Sequence, residues 1–547
     1  MPIFDLDSDT VTGPAVPGAP TERELHVDEI QGNILPGFGT RRQRLLGLKF
    51  DPAQVPAVRT WLRRHVDSIS TLAQTNDQRN ARRRALRQGQ PRPLSPLLAN
   101  IAFSIGGLRL LAPAVDGIGD TAFVTGMSWR SGLGDPGTPG NRDWVVGGSD
   151  ETTPDALVIL SADSPDDLEQ GADALLGSVA ASSGAVRCTY DQKGEVLEGE
   201  TEHFGFRDGI SQPGPRGRLS SLDRHFLIRR YVDPADPLAL THSRPGQPLV
   251  WPGQFVFGYA RQDPDEALAA GPVRAGAYPW MADGSFLVFR RLRQDVPLFR
   301  KFVSEQAAAL RAQPGFSELM PERLAAAIVG RWPKGTAVMR NAAGDDPDPM
   351  GDRLSVNHFG FAQAVPAVAV CSDPLVAIEE LVAAPNGELR TIEGAPADPN
   401  GDRCPRFAHV RKVNPRDLTT DQNGPDRTLT LMILRRGITW GAPYPDDPAQ
   451  QAADSGDRGL LFLAYMTSIT NQFEILNDRW MNRAAGPEGG ANHDLLVGQN
   501  QSGPRSGTLR SGQAEAAISP PESWVTPTGG GYFFAPSISA LRSFATG

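Results

Sequence analysis

A short glycine-flanked aspartate segment is the first place where this chain could do chemistry. Residues 205–209 read GFRDG, and residues 210–213 continue as ISQP. Glycine lets a backbone approach a bound molecule closely, so Asp208 could be held against a ligand. The same residue types also form Asx-type turns at domain joints. The pattern alone leaves both interpretations open.

A second segment, residues 404–416, reads CPRFAHVRKVNPR and contains a single histidine among apolar residues, followed by dense cations. The neutral imidazole of His409 could ligate iron, and the nearby arginine and lysine side chains could bind anionic groups such as propionates. A core histidine beside a surface loop is the structural alternative.

A third segment, Arg435-Arg436-Gly437-Ile438, lies at the end of a predicted strand, and an arginine pair on a solvated turn is its alternative interpretation. Other catalytic signatures are missing from the sequence. It contains no HExxH, GxSxG or GxxxxGK[ST] motif. Zinc protease, serine hydrolase and P-loop functions are therefore unsupported.

Charge and cysteine content exclude several classes of protein. The 547 residues include 54 Lys and Arg against 63 Asp and Glu, a formal charge of −9, which argues against a strongly basic nucleic-acid binder. The three cysteines, Cys188, Cys371 and Cys404, are too few for a disulfide framework. The start of the chain lacks a signal-peptide pattern, and the apolar run 460–466 is too short to span a bilayer. We therefore expect a cytoplasmic location without membrane or nucleic-acid partners.

The elements that must position these segments follow from hydrophobic periodicity and capping signals. A basic stretch at 79–92 is expected to be a surface loop, and the first forty residues to be irregular or loosely docked. The remaining pattern is strand, helix, strand, repeated in each half of the chain, which predicts two α+β units of the same kind. The predicted strands are 45–50, 100–104, 156–160, 185–190, 285–291, 429–434, 460–465 and 532–535, and the predicted helices begin near 52, 165, 296 and 468.

Together, these segments resemble the dye-decolorizing (DyP-type) haem peroxidases. GFRDG followed by ISQP fits the GxxDG signature of that family, and CPRFAHVRKVNPRD resembles the proximal-histidine segment of its longer bacterial and fungal members. The resemblance covers about residues 25–545 and includes the stretches 29–39, 329–335, 459–482 and 530–541.

The resemblance implies an α+β fold of two tandem ferredoxin-like domains, related to the dimeric α+β barrel. Residues 1–24 would be an irregular N-terminal segment. Residues 25–245 would form the first domain, with the GxxDG motif at its end. Residues 246–547 would form the haem-binding domain.

The resemblance also implies one haem b per chain and a set of site residues. The iron ligand would be His409 through Nε2, and the distal catalytic pair Asp208 and Arg435. Leu460 and Phe462 would line the distal pocket, and Arg411 would contact a propionate. His203, five residues before Asp208, is a competing candidate for the distal residue. Because dyes are large, oxidation through aromatic residues is also expected, with Trp332, Trp440, Trp480, Tyr444 and Tyr465 as candidates.

The implied function is reduction of hydrogen peroxide through a ferryl intermediate, with oxidation of dyes, phenolic compounds and possibly Mn(II). A carboxylate can move the proton from one peroxide oxygen to the other, and a fixed guanidinium can stabilise charge on the departing oxygen. The alternative is a haem-binding or haem-delivery protein with incidental peroxidase activity. The acidic residues Asp345, Asp346 and Asp348 could bind Mn(II) or Ca²⁺ or form a solvated loop. A homo-oligomer is possible.

Overall fold

The computed structural model describes residues 16–222, 224–345, 352–371, 389–454, 456–490, 492–499 and 503–547. Its main sheet contains β1 (Arg42–Phe50), β2 (Leu98–Phe103), β3 (Ala156–Ala162), β4 (Val186–Glu195), β5 (Ser285–Gln294), β6 (Leu434–Arg435), β7 (Ile438–Trp440), β8 (Gly459–Met466) and β9 (Val525–Ala535). The helices used below are α1 (Val55–His65), α2 (Leu72–Arg87), α3 (Pro165–Ala180), α4 (Val296–Arg311), α5 (Pro321–Val329), α6 (His409–Val413) and α7 (Ile538–Thr546).

Shorter elements connect these. Four further helices are Ile105–Leu111, Thr121–Thr125, Pro425–Leu429 and Pro448–Ala453, and two π-helical turns are Ile469–Phe473 and Ile475–Met481. Small ladders outside the main sheet are formed by Gly214–Pro215, His242–Arg244 and Gln247–Val250, by Ala260–Gln262 and Ala270–Val273, by Val368–Cys371 and Leu389–Ile392, and by Gly507–Ser511 and Ala514–Ile518.

The two halves of the main sheet share one topology. The nine-stranded sheet has the order β6-β8-β5-β9-β2-β3-β1-β4, with β7 also paired to β8, and all these pairs are antiparallel. When β6 and β7 are counted together as one strand, the first strand of each half lies between the third and the fourth, which is the ferredoxin-like arrangement. The halves meet at Phe103 and Phe534. Across the described residues the ladder does not close into a barrel. The α+β fold class is confirmed.

Helix starts follow the capping signals in the sequence. Ser164 accepts a hydrogen bond from the amide of Asp167, and Pro165 occupies the first turn of α3. Asp295 accepts from the amide of Leu298 at the start of α4. Each cap satisfies a backbone donor that the helix itself leaves unpaired. The helix α3 packs against β1, β3 and β4 of the sheet, and α4 packs against α5.

Two predicted elements were wrong. The basic stretch 79–92 lies largely in α2, which begins with a capping box between Thr71 and Gln74. Arginine, alanine and glutamine are good helix formers, so the dense charge of this stretch does not prevent a helix. The predicted strand 429–434 is mostly the end of the helix Pro425–Leu429 and a turn, and only Leu434–Arg435 pairs with β8.

The described part of the N-terminal segment is held tightly, contrary to the expectation of loose docking. Glu22 is buried and pairs with Arg216 at 3.0 Å and with Arg230. Its second carboxylate oxygen accepts from the amide of Gly217 at 2.6 Å. This segment therefore closes onto the region just after the GxxDG motif.

The sheet is covered by apolar side chains on both faces, which fixes the strands that border the cavity described below. One cluster includes Trp61, Phe103 and Phe286, and another includes Phe289, Tyr465 and Phe533. Within the described ranges, no helix is long and apolar enough to cross a membrane.

Candidate active site

A deep cavity brings together five of the six residues that the resemblance assigned to the site. Its walls come from the loop after β4, from β5 and β8, from α6 and from the segment around β6. Most of the lining is apolar. The five expected residues that line it are Asp208, His409, Arg435, Leu460 and Phe462.

His409 begins α6 and has its ring orientation fixed from behind. Its Nδ1 lies 2.7 Å from Oδ2 of Asp494, which is fully buried. The other oxygen of Asp494 accepts from the amides of Leu496 and Val497. A carboxylate held in this way accepts the Nδ1–H, which leaves Nε2 as the ring nitrogen with a free lone pair. His409 is therefore prepared to ligate a metal from one wall of the cavity.

Asp208 lies on a loop whose glycines have left-handed backbone conformations. Gly205 has φ +97° and Gly209 has φ +73°, a region that favours glycine. A Cβ built on either glycine meets no atom within 4 Å. The left-handed backbone conformation is therefore what requires glycine at these two positions within the protein itself.

One carboxylate oxygen of Asp208 is occupied and the other is open. Oδ1 accepts from the amide of Gly209 at 2.6 Å and from Nη1 of Arg435 at 2.9 Å. Enclosure in the cavity wall raises the pKa of Asp208, but the charge of Arg435 and these hydrogen bonds outweigh it and hold the pKa below its ordinary value. Asp208 is therefore ionised with Oδ2 available to take a proton.

The position of Arg435 is fixed by three contacts to the loop that bears Asp208. Its backbone amide donates to Oε1 of Gln212, and the Gln212 side-chain amide donates back to the Arg435 carbonyl. Its Nη2 donates to the Ser211 carbonyl at 2.9 Å. The ISQP residues after the GxxDG motif thus hold the arginine that faces Asp208.

Leu460 and Phe462 share the cavity face of β8. They pair with Leu292 and Arg290 of β5, which line the same cavity. Alternate residues of a strand point to one side of the sheet, so all four face the same space. Leu460, Phe462 and Leu292 therefore give apolar character to the wall of the cavity that also contains Asp208 and Arg435.

Arg411 lies elsewhere than expected. It is fully buried behind His409, where Nε and Nη2 donate to the two oxygens of Glu488 at 2.6 and 2.7 Å. Nη1 donates to the carbonyls of Asp398 and Cys404. Arg411 does not line the cavity, and its donors are already used. The expectation that Arg411 contacts a propionate from the cavity wall is therefore wrong.

His203 does not take the distal position. It is buried, with Nε2 2.8 Å from the carbonyl of Trp440, and it does not line the cavity. Among the candidate aromatic residues, Trp332, Trp440, Trp480 and Tyr465 are buried.

The acidic group at 345–348 gains no support as a metal site. Asp345 accepts from the amide of Lys334, and Asp346 and Asp348 lie outside the described residues. In the part of the chain that the structure describes, no cluster of three or more His, Cys, Asp or Glu is arranged to hold a metal ion.

Two cations in the cavity wall, the buried Arg331 and the partly buried Arg416, indicate what kind of group the cavity accepts. Arg331 and Arg416 donate only to carbonyl and amide oxygens, and neither has a carboxylate within ion-pair distance among the described residues. Burial lowers the pKa of Arg331 to about 10 and that of Arg416 to about 9. A planar, mostly apolar group bearing carboxylates, with a metal opposite His409, fits this donor set.

Sequence reasoning missed Asp494, Arg331 and Arg416 as site residues. Asp494 lies in NHDLLVG, and nothing in that stretch distinguishes it from a turn aspartate. Arg331 and Arg416 belong to segments that the resemblance quoted, VGRWPKG and VNPRD, but their position in the cavity wall without a carboxylate partner is visible only in three dimensions.

Comparisons with known proteins agree with this fold and cavity. The family model described as "DyP dimeric alpha+beta barrel domain" matches residues 29–196. The chain is 29% identical over 537 residues to dye-decolorizing peroxidase msp1 of Mycetinis scorodonius, covering 95% of this chain and 87% of the relative. It is 28% identical over 551 residues to a dye-decolorizing peroxidase of Exidia glandulosa, covering 96% and 89%.

Solved structures give the same result. An ancestral D-type dye-decolorizing peroxidase superposes with a TM-score of 0.70 at 29% identity, covering 95% of this chain and 99% of that one. A dye-decolorizing peroxidase in complex with 2,6-dimethoxyphenol superposes with a TM-score of 0.68 at 27% identity, covering 95% and 100%. Residues 29–196 therefore match the domain of the dye-decolorizing peroxidase family, and the chain as a whole is similar in sequence and fold to dye-decolorizing peroxidases. It is a peroxidase, an oxidoreductase, and its matches are consistent with the fungal-like branch.

Proposed function

We propose that this peroxidase binds one haem b in the cavity and reduces hydrogen peroxide with the residues of the distal wall. One observation supports this most directly: the cavity has the free Nε2 of His409 on one wall and the Asp208–Arg435 pair facing the same space. When bound, haem would supply the iron that exchanges electrons with peroxide. His409 would hold the iron, and Arg331 and Arg416 would bind the carboxylates.

Asp208 would move the proton. Its Oδ2 takes the proton from one peroxide oxygen and returns it to the other, which then departs as water. The depressed pKa keeps the carboxylate ionised at neutral and mildly acidic pH, so the base is present before peroxide arrives.

Arg435 would stabilise the negative charge that develops on the departing oxygen. A guanidinium stays protonated, and its contacts to Asp208 and Ser211 hold it without rearrangement. Donors that are already fixed in place stabilise developing charge more than mobile water does. A haem-delivery protein has no need of this pair, which favours the enzyme over that alternative.

The experiment is an absorption spectrum of the hemin-loaded protein before and after one equivalent of hydrogen peroxide. The wild type should show a ferric Soret band that changes rapidly. His409→Ala should lose the ligated spectrum, whereas Asp208→Asn and Arg435→Leu should keep it and react slowly. Stable haem with no reaction in the wild type would favour delivery, and absence of haem binding would refute the proposal.

The reductants proposed are dyes, phenolic compounds and Mn(II). A relative's complex with 2,6-dimethoxyphenol supports phenols as a class. Steady-state oxidation of 2,6-dimethoxyphenol, a sulfonated dye and Mn(II) by the loaded protein separates the three. We also propose a cytoplasmic location, which the sparse cysteines support and cell fractionation tests.

A further inference from the structure

Glu202 is a second carboxyl group in the cavity wall, and the mechanism above does not use it. It lies at the start of the loop that leads to Asp208 and lines the same cavity. Among the described residues it forms no ion pair. Enclosing an ionised carboxyl group without a cation is unfavourable. We therefore ask what function Glu202 has in the cavity wall.

The hydrogen bonds of Glu202 leave one position for a proton. Oε1 accepts from the amide of Phe206 at 2.9 Å, and Oε2 accepts from the amide of Phe204 at 3.0 Å. The side-chain amide of Gln294 also donates to Oε2. A carboxylate offers about four lone-pair positions. Three are filled, so a proton on Oε1 would leave all three bonds intact.

The surroundings of Glu202 and Asp208 shift the pKa values of the two carboxyl groups in opposite directions. Burial raises the pKa of Glu202 to about 7, and the negative charge of Asp208 adds to this rise, while the three hydrogen bonds oppose it. Arg290 on β5, Arg331 after α5, His409 on α6, Arg416 after α6 and Arg435 on β6 also line the cavity, and Arg207 lies on the same loop as Glu202. Arg435 pairs with Asp208, Arg290 with Asp135 and Arg207 with Glu200, and none of the cations in the described residues forms an ion pair with Glu202. The apolar residues Leu496, Val497, Val525 and Pro527 belong to the same cavity lining.

Two carboxyl groups with opposite pKa shifts can take opposite roles. Near neutral pH Asp208 is ionised and can accept a proton, while Glu202 holds one. Both side chains line one cavity and lie on one loop, so water in the cavity can connect them.

Reduction of peroxide to two water molecules consumes two electrons and two protons. After Asp208 has moved the peroxide's own proton to the departing oxygen, the first water leaves. The oxygen atom left behind must take up two electrons from the reductant and two protons to become the second water. Two protons must therefore be delivered to this oxygen in the second half of the cycle.

We propose that Glu202 supplies one of these two protons through Asp208. The O–H bond of Glu202 breaks, the proton passes through cavity water to the Asp208 carboxylate and on to the remaining oxygen, and Glu202 recovers a proton from solvent. The electrons come from the aromatic reductant. Glu202 does not contact peroxide. It acts through Asp208, to which it delivers the proton, and is therefore a positioning residue. This inference rests on the proposed function.

The test is a stopped-flow comparison of haem-loaded wild type and Glu202→Gln over the titration range of both carboxyl groups. The first phase, on mixing with peroxide, should stay within about twofold of the wild type. The second phase, return of the resting spectrum with excess 2,6-dimethoxyphenol, should slow about tenfold at acidic pH, less than the ~10²–10⁴-fold of an acid in direct contact. The wild-type second phase should slow as the pH rises through about 7, and the variant should lose this dependence.

Glu200→Gln is the matched control. Glu200 lies on the same loop but pairs with Arg207 and does not line the cavity. Its variant should behave as the wild type in both phases. Infrared difference spectra of the loaded protein provide a readout independent of turnover. A protonated-carboxyl band that titrates near neutral pH should be present in the wild type and in Glu200→Gln and absent in Glu202→Gln.

The outcomes separate the two proposals. If wild type and Glu202→Gln share the same second phase and pH dependence, Glu202 is not the proton donor, although the proposed function stands. If Glu202→Gln does not hold haem, the infrared titration of the wild type decides: a missing neutral-range band overturns the inference, and a band that titrates near neutral pH supports it. If the wild type neither binds haem nor reacts with peroxide, the proposed function fails and this inference fails with it.

Discussion

Oδ2 of Asp494 lies 2.7 Å from Nδ1 of His409, although 85 residues separate the two in sequence. The contact comes from behind the imidazole, on the side away from the cavity. Because Asp494 is also bonded to two backbone amides, the ring cannot turn without breaking a buried network. The chemistry of the open ring nitrogen is thus set by a residue that does not itself face the reacting space.

Asp494→Asn should weaken haem binding and raise the reduction potential of the bound iron. An uncharged amide makes the imidazole a poorer electron donor, which disfavours the ferric state. We expect about a 10–100-fold loss of haem affinity or peroxide reactivity, the usual effect of changing such a partner. Hemin titration and spectroelectrochemistry measure the two quantities. An unchanged potential with normal ligation would contradict the role given to Asp494.

Arg435→Leu should lower the rate with peroxide about 10²–10³-fold, as expected when one fixed donor to developing charge is lost. It should also shift the acid limb of the rate profile. Arg435 holds the pKa of Asp208 down, and the base works only when ionised, so the rate falls as pH drops through that pKa. Without the guanidinium the pKa rises, and the decline should begin at higher pH.

Stopped-flow rates over a pH series check this prediction. Arg436→Leu is not a suitable control because its guanidinium donates to the carbonyls of Asn33, Ile34 and Leu35. Arg542→Leu changes an exposed arginine far from the cavity and should leave the profile as it is. An acid limb that stays in place in Arg435→Leu would show that Asp208 is not the group that titrates.

Glu22→Gln should destabilise the N-terminal segment. Removing one charge leaves Arg216 and Arg230 buried without their carboxylate, which costs about 3–5 kcal/mol. Hydrogen exchange at the amide of Gly217, which donates to Glu22, should accelerate accordingly. Glu24→Gln changes an exposed neighbour and serves as control.

The same pair has a defined pH dependence. Burial raises the pKa of Glu22, but the charges of Arg216 and Arg230 outweigh this effect. The pKa of Glu22 in the folded protein therefore lies below the ordinary 4.5. The stabilisation is therefore fully present above about pH 4.5 and is lost as the pH falls through the folded value. Protection of Gly217 that stays constant through this range would contradict the assignment.

Arg416→Met should speed haem release about tenfold, since a charge-assisted contact to a carboxylate is lost. Transfer of haem to an excess of apomyoglobin gives the rate. Arg411→Met is the informative comparison, because Arg411 donates to Glu488 and does not line the cavity. Its variant should lower stability more than it changes the release rate at matched occupancy. Equal release rates in wild type and Arg416→Met would remove Arg416 from the binding set.

The sequence allowed much of the fold to be predicted, because caps and periodicity are local. The cap at Ser164 predicts α3, and the apolar periodicity after residue 296 predicts α4, whose cap at Asp295 is formed within one turn. The helix α2 was missed because its arginines were interpreted as solvated loop residues, although their backbone preference is helical. The strand predicted at 429–434 was wrong because an apolar run does not by itself show whether its backbone pairs with a neighbouring strand.

The site residues that could be predicted are those that lie in a recognisable sequence motif. Asp208, His409 and Arg435 lie in segments that match the family, and the structure brings all three to one cavity. The position of Arg411 was not predictable, since its partner Glu488 is 77 residues away. The roles of Glu202 and Asp494 likewise depend on contacts with residues distant in sequence, Gln294 for Glu202 and His409 for Asp494.

The origin of the two cavity walls has a consequence for how this protein can fail. Asp208 follows β4, in the first half of the sheet, and Arg435 ends β6, in the second, whereas His409 and Asp494 both come from the second half. Any loosening between the halves would separate the distal pair while the histidine side stays assembled. Damage by heat or oxidation should thus first yield a protein that keeps its colour and has lost its reactivity.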